Sequence, residues 1–158
     1  MNIYLTALGC KLNQAEVEAL ARQVAARGHC VVADPALADW AIVNSCTVTQ
    51  VADKKSRQLI RRLHRANPAL RVAVIGCYGE MSPQQAAALE GVALVLPNRE
   101  KESVVERILS AQAGAEALAS RAFAPEHTRA FVKIQDGCDN RCSYCIVGLA
   151  RGPQRSRP

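Results

Sequence analysis

Through the first hundred or so positions, short apolar runs alternate with longer stretches in which apolar residues recur every three to four positions. That alternation predicts an α/β fold. The runs at 3–8, 30–33, 40–44, 71–75 and 93–96 are mostly apolar without a polar face, as strands of a mostly parallel sheet buried on both sides should be. Helices are expected between most of them. Asn13, with Glu16 three residues on, reads as a capping box, and Val17, Leu20, Ala21, Val24 and Ala25 then form one apolar stripe closed by Gly28. A second helix over 51–66 would bury Leu59, Ile60 and Leu63 and stop at Asn67-Pro68. A third begins near Pro83, and a fourth covers 100–111.

After position 110 the pattern dissolves into Ala, Gly and Ser, the composition of a linker. At Phe131 the segment FVKIQ alternates apolar and polar positions before Asp136-Gly137 turns the chain. The expected organisation is therefore a first domain over 1–112, a linker over 113–129 and the start of a second domain over 130–158.

With 158 residues and 49% hydrophobic content, the chain supports one ordinary core and little more. It carries no apolar run near the length of a membrane span and no pattern of an export signal at its start, so a cytoplasmic protein without a membrane partner is expected. In that reducing setting the seven cysteines point to metal binding or catalysis rather than disulfides. The 20 Lys and Arg against 14 Asp and Glu leave a net charge of +6, which favours a polyanionic partner such as nucleic acid without requiring one.

The sharpest signal is GCDNRCSYC, which spaces Cys138, Cys142 and Cys145 as C-x3-C-x2-C. Three neighbouring thiolates can ligate three irons of a four-iron cluster and leave the fourth open to a ligand. Zinc is the alternative, although zinc sites more often join two cysteine pairs, and no fourth Cys or His follows. The triplet with Tyr144 before its last cysteine resembles the radical S-adenosylmethionine superfamily. That resemblance implies an open iron that binds the cofactor, a radical generated when the reduced cluster splits it, and a β/α barrel whose first strand is FVKIQ. Tyr144 occupies the family's cofactor-side aromatic position.

Cys10, Cys46 and Cys77 are far apart in sequence, yet each closely follows the end of an expected strand. In a parallel sheet those ends share one edge, where α/β folds gather their sites. Each alone would more often be a small buried residue. Cys30 begins a strand and reads as structural. Gly9 and Gly76 would let the backbone approach a bulky cluster, or serve simple turns.

The segments ALGCKLNQAE, VNSCTVT, GCYGE and KIQDGCDNRCSYC occur in the order found in radical S-adenosylmethionine methylthiotransferases, and the resemblance covers essentially the whole chain. It implies a second four-iron cluster on Cys10, Cys46 and Cys77, giving two [4Fe-4S] clusters in all, with S-adenosylmethionine as cofactor. It further implies an electron donor such as a flavodoxin or ferredoxin, and sulfur insertion at carbon 2 of an adenine ring. HTRAFVKIQDGC and ARGPQRSR look most like the branch that acts on threonylcarbamoyladenosine beside the anticodon of tRNA. The branch acting on an aspartate of a ribosomal protein is the alternative within the family, and a noncatalytic iron-sulfur or zinc protein the alternative outside it.

Where the family commonly has proline, this chain has Gly148. From Phe131 onward there are 28 residues, against the roughly 200 or more of a complete barrel, so the chain is expected to be the front of such an enzyme and inactive by itself. No side-chain general base is needed, and His29, His64 and His127 are read as structural. Arg57, Arg61 and Arg65 share one face of the second helix, beside Lys54, Lys55 and Arg62, as a phosphate-binding stripe or a solvated face. Arg151, Arg155 and Arg157 follow the cysteine loop and could face RNA or cofactor, or pair with acidic groups in the remainder of the barrel.

Overall fold

The computed structural model describes residues 1–111 and 131–156, so the expected linker lies outside the described residues. Five parallel strands form one sheet in the order β2-β1-β3-β4-β5: β1 Asn2–Ala7, β2 Cys30–Val32, β3 Trp40–Ser45, β4 Arg71–Gly76 and β5 Val92–Val95. All five sequence-predicted strands are present, displaced by no more than a residue or so at their ends. Their uninterrupted apolar runs follow from burial on both faces: every residue of β3 is buried.

The pleat sends alternate side chains to opposite layers. Ile3, Trp40, Ile42, Ala73 and Ile75 pack with Leu20 and Val24 of α1 (Lys11–Ala26) and with Val104, Val105 and Ile108 at α5 (Val104–Ser110). Ala41, Val43, Val72 and Val74 pack with Leu59, Ile60 and Leu63 of α2 (Gln50–Ala66). Two short helices, α3 (Cys77–Met81) and α4 (Pro83–Ala87), add Tyr78 and Ala86 to this second layer. The sequence pattern had shown only the latter. No helix among the described residues is long and apolar enough to cross a membrane.

Helix ends follow local chemistry in part. Thr49 caps α2 by accepting from the Ala52 amide, and Asn67 closes it ahead of Pro68. The capping box expected for α1 is absent: the helix starts two residues before Asn13, its N-cap is Cys10, and no side chain caps it. Asn13 and Glu16 are buried inside the helix and bond across the fold instead. Tertiary partners for both polar side chains outcompete the local cap.

The second segment also departs from expectation. Of FVKIQ only Gln135 pairs as a strand, in β6 (Gln135–Asp136), which pairs antiparallel with β7 (Arg155–Ser156). A ladder needs a partner strand, and among the described residues only β7 lies alongside. Val132 and Ile134 are exposed while Lys133 turns inward, but the alternation stops there, with Gln135 exposed and Asp136 buried. Helix α6 (Val147–Arg151) follows the cysteine loop.

Candidate functional site

In a parallel sheet the strand order reverses where the chain turns back from one edge to build the other, and loops on either side of that reversal part to leave a crevice. Here it falls between β1 and β3. Cys10 follows β1 and Cys46 follows β3, while Cys77 follows β4 as the first residue of α3. The three cysteines singled out by sequence therefore share the C-terminal edge of three adjacent strands. Cys30 opens β2 at the opposite edge.

Backbone contacts bring this edge together. Gly9 has φ 111°, and a Cβ there would stand 2.7 Å from Cys46 Cβ and 2.9 Å from Cys46 Sγ. Glycine is thus the residue that lets the Cys10 loop lie directly on Cys46. The amide of Leu8 donates to the Asn44 carbonyl at 2.8 Å, which extends the β1-β3 contact toward the cysteines. Gly76, φ 87°, turns β4 into α3 against the backbone of Ser45. Cys10 is exposed whereas Cys46 and Cys77 are buried. Burial pushes the Cys77 thiol up from its ordinary value; the nearby Arg151 guanidinium opposes this, and Cys46 adds to it. Cys46 and Cys77 are therefore electrostatic neighbours. Among the described residues, no three His, Cys, Asp or Glu side chains form a group that could hold a metal ion. The three thiols meet at an edge without closing into a tight ligand set.

Asparagines organise the floor beneath them. Asn13 Nδ2 donates to the carbonyls of Leu8 at 2.7 Å and Ser45 at 3.2 Å, and its Oδ1 accepts from the Cys10 thiol at 3.5 Å. Asn44, fully buried in β3, donates to Glu16 Oε2 at 2.8 Å and to the Asn13 carbonyl at 3.2 Å. These roles were not visible in sequence; the one available signal was an asparagine at the end of an apolar strand.

The other cysteine set lies on a loop that the same edge helps to hold. Cys138 N–H donates to the Gly152 carbonyl at 3.1 Å, and Cys145 N–H to the Cys142 carbonyl at 3.1 Å. Cys142 and Cys145 are exposed and Cys138 is partly buried. Tyr144 is also exposed. Gly148, the departure from the family pattern, lies in α6 where an added Cβ would be 3.4 Å from the Cys138 carbonyl oxygen.

Between the two sets runs a buried ionic cluster that sequence reasoning missed. Lys101 Nζ is 2.7 Å from both Glu16 Oε1 and Asp136 Oδ2. Lys133 Nζ reaches the same two oxygens at 2.9 and 2.8 Å, and Arg151 Nη1 reaches Glu16 Oε1 at 3.1 Å and Asp136 Oδ1 at 2.9 Å. Burial alone would raise both carboxyls, but the surrounding cations, Lys101 foremost, outweigh it. Glu16 is held at about 2 and Asp136 well below the usual carboxylate range. Of the three arginines expected either to face RNA or cofactor or to pair with acidic groups, Arg151 is buried and paired in this cluster, and Arg155 is half-exposed at 3.9 Å from Asp136 Oδ2. Arg157 and His127 lie outside the described residues. His29 is buried, its ring pushed toward the neutral form first by burial and then by the N-terminal ammonium, away from the cysteine edge.

The pattern described as Uncharacterized protein family UPF0004 matches residues 2–97, the whole five-stranded sheet. Among curated proteins, the chain is 38% identical over 155 residues to the threonylcarbamoyladenosine tRNA methylthiotransferase of Chlamydia pneumoniae, a match covering 98% of this chain and 37% of that protein. It is 39% identical over 166 residues to the protein of the same description from Bacillus subtilis, covering 95% of this chain and 36% of the relative. A ribosomal protein uS12 methylthiotransferase of Desulfosudis oleivorans is 34% identical over 182 residues, covering 100% of this chain and 40% of that protein. The chain thus spans somewhat over a third of the length of these relatives.

Proposed function

Because the chain belongs to the radical S-adenosylmethionine methylthiotransferase family and carries the UPF0004 region, we propose that it is part of an enzyme that places a methylthio group on carbon 2 of threonylcarbamoyladenosine beside the anticodon of tRNA. The observation that carries this reading is the meeting of two cysteine sets at one sheet edge. Cys10, Cys46 and Cys77 stand at the ends of adjacent parallel strands, and the loop of Cys138, Cys142 and Cys145 is tied to the same edge through Arg151 and Asp136. A sulfur-insertion reaction needs a radical-generating centre and a sulfur-supplying centre within reach of one substrate.

The chemistry of the donors supports this reading. The donors are thiols, the ligand type of iron-sulfur clusters. Gly9 removes the side chain that would crowd Cys46, and a buried guanidinium stands beside Cys77. Cys138, Cys142 and Cys145 would hold a four-iron cluster that binds S-adenosylmethionine and supplies the radical, and Cys10, Cys46 and Cys77 a second that supplies sulfur. Cys10 is the N-cap of a 16-residue helix, at the start of α1. Tyr144, exposed beside Cys145, is positioned to border the cofactor. A flavodoxin or ferredoxin would reduce the clusters, in the cytoplasm where tRNA is found.

Helix α2 supports an RNA partner. Lys54, Lys55, Arg61, Arg62 and Arg65 are all exposed on it, with Asp53 the only acidic residue of the helix. The relative described as acting on ribosomal protein uS12 favours a second reading, in which the same chemistry is directed at a protein.

Anaerobic reconstitution with iron and sulfide tests the proposal. About eight irons per chain are expected, falling to about four in either triple Cys→Ala variant, with an electron paramagnetic resonance spectrum perturbed by S-adenosylmethionine. Tight zinc with no iron would sink it. Mass spectrometry of tRNA and of the ribosomal protein, from cells with and without the gene, separates the two substrates by which one loses its methylthio group.

A further inference from the structure

Arg151 is the last residue of α6, in the segment that carries the second cysteine set, yet its guanidinium is 6% exposed and directed into the first. Its charge stands near enough to the Cys77 thiol to oppose the upward push of burial there. Its Nη2 donates to Asn13 Oδ1, the atom that also accepts from the Cys10 thiol, and Asn13 in turn holds the Ser45 carbonyl next to Cys46. One side chain thus stands near Cys77 and is linked to Cys10 and to the backbone beside Cys46 through a single asparagine. The residue after it, Gly152, accepts the Cys138 amide at 3.1 Å, and Ala150 before it accepts from Asn98 Nδ2.

Charge points the same way. Glu16 and Asp136 supply two negative charges to the cluster, and Lys101, Lys133 and Arg151 supply three positive ones. Among the described residues one buried positive charge is left over, with half-exposed Arg155 adding the same sign at 3.9 Å from Asp136, and burying charge without a counterion is costly. The exit from that imbalance lies where Arg151 faces Cys77, because a thiolate-bound iron-sulfur group is anionic.

We propose that Arg151 is a positioning residue for the first cysteine site: the second segment lends it across the junction, where it orients Asn13 against Cys10 and the Cys46 loop and supplies the countercharge for the anionic group those thiolates hold. The proposal rests on the reading that Cys10, Cys46 and Cys77 hold an iron-sulfur cluster. Hydrogen bonds to ligating sulfur and local charge both set the potential of such a cluster.

The test uses the 158-residue chain with Cys138, Cys142 and Cys145 replaced by Ala, so that only the first site loads. Arg151, Arg151→Lys and Arg151→Met forms are reconstituted, and iron content, the resonance spectrum of the reduced cluster and its midpoint potential are measured. Arg151→Met/Glu16→Gln is included because it removes a carboxylate that the lost guanidinium would strand, which guards against a failure to fold. The expected result is a potential shifted negative and an altered spectrum in both Met variants, with Lys restoring the potential but not the full spectrum, since it keeps the charge and loses the planar fork. Unchanged potential and spectrum in a folded Met variant that still binds iron would overturn the proposal and leave the cluster reading intact. No iron in the Arg151 form would instead remove the cluster reading, and this proposal with it.

Discussion

Lys101 Nζ stands 2.7 Å from Glu16 Oε1, with only 3% and 7% of the two side chains exposed. Lys101 opens the last helical segment of the sheet domain and Glu16 lies near the start of α1, and their pairing places a positive charge where Asp136 of the second segment also docks. Lys101→Met should therefore lower the stability of the metal-free chain by about 2 to 3 kcal/mol, because each of two buried carboxylates loses a charge-assisted contact at 2.7 Å. Lys133 and Arg151 remain beside them and keep the loss at or below the lower end of what breaking a buried pair costs. Urea titration of the single variant and of Lys101→Met/Glu16→Gln checks this, the double variant recovering part of the loss.

Acid should loosen the same junction. Glu16 is held at about 2, below its ordinary value of 4.5, so its contribution to stability is present above about pH 4.5 and is lost as the pH falls toward 2. Thermal midpoints of the metal-free chain recorded between pH 7 and pH 2 should fall across that window. In Glu16→Gln, the part of the decline assigned to this carboxyl should disappear. An equal slope in both proteins would mean that Glu16 is not held down by its neighbours.

Gly9→Ala should damage the first cysteine site from the backbone side. At φ 111° an alanine is strained, and its Cβ would press on Cys46 at 2.7 Å. A stability loss of about 1 to 3 kcal/mol is expected, together with a lower iron content at the first site while the second triplet loads normally. Iron analysis in the background lacking the second set of thiols reads this directly.

The exposed cations of α2 make a separate prediction. Lys54, Arg61 and Arg65 lie on one face of the helix and are exposed. Replacing all three with Gln should weaken tRNA binding and make the slope of log K against log salt shallower by about 2 to 3. The thermal midpoint should stay within about 1 °C, since exposed positions contribute little to stability. Binding with an unaltered salt slope would mean that RNA approaches another face.

Much of this protein is legible in its sequence because the signals are local or periodic. Two-sided burial makes β3 and β4 continuous apolar runs, the 3.6-residue period marks α1 and α2, and Asn67-Pro68 ends α2 by backbone chemistry alone. The positions of Cys10, Cys46 and Cys77 at strand ends follow from those strands, and parallel pairing then gathers them at one edge. Asn13 and Glu16 show where that logic stops. Their spacing satisfies the rule for a helix cap, but a cap is worth about 1 kcal/mol and is overridden when buried partners are at hand. Glu16, Lys101, Lys133, Asp136 and Arg151 span 135 residues, and no periodicity links them. Nor did alternation in FVKIQ determine its pairing, because hydrogen bonds between strands depend on which neighbour is present rather than on the strand's own pattern. The sequence by itself determined the elements, the sheet edge and the thiols. Only the tertiary structure decided which charges meet beside them, since burying an ion is favourable only once the opposite charge has been folded into reach.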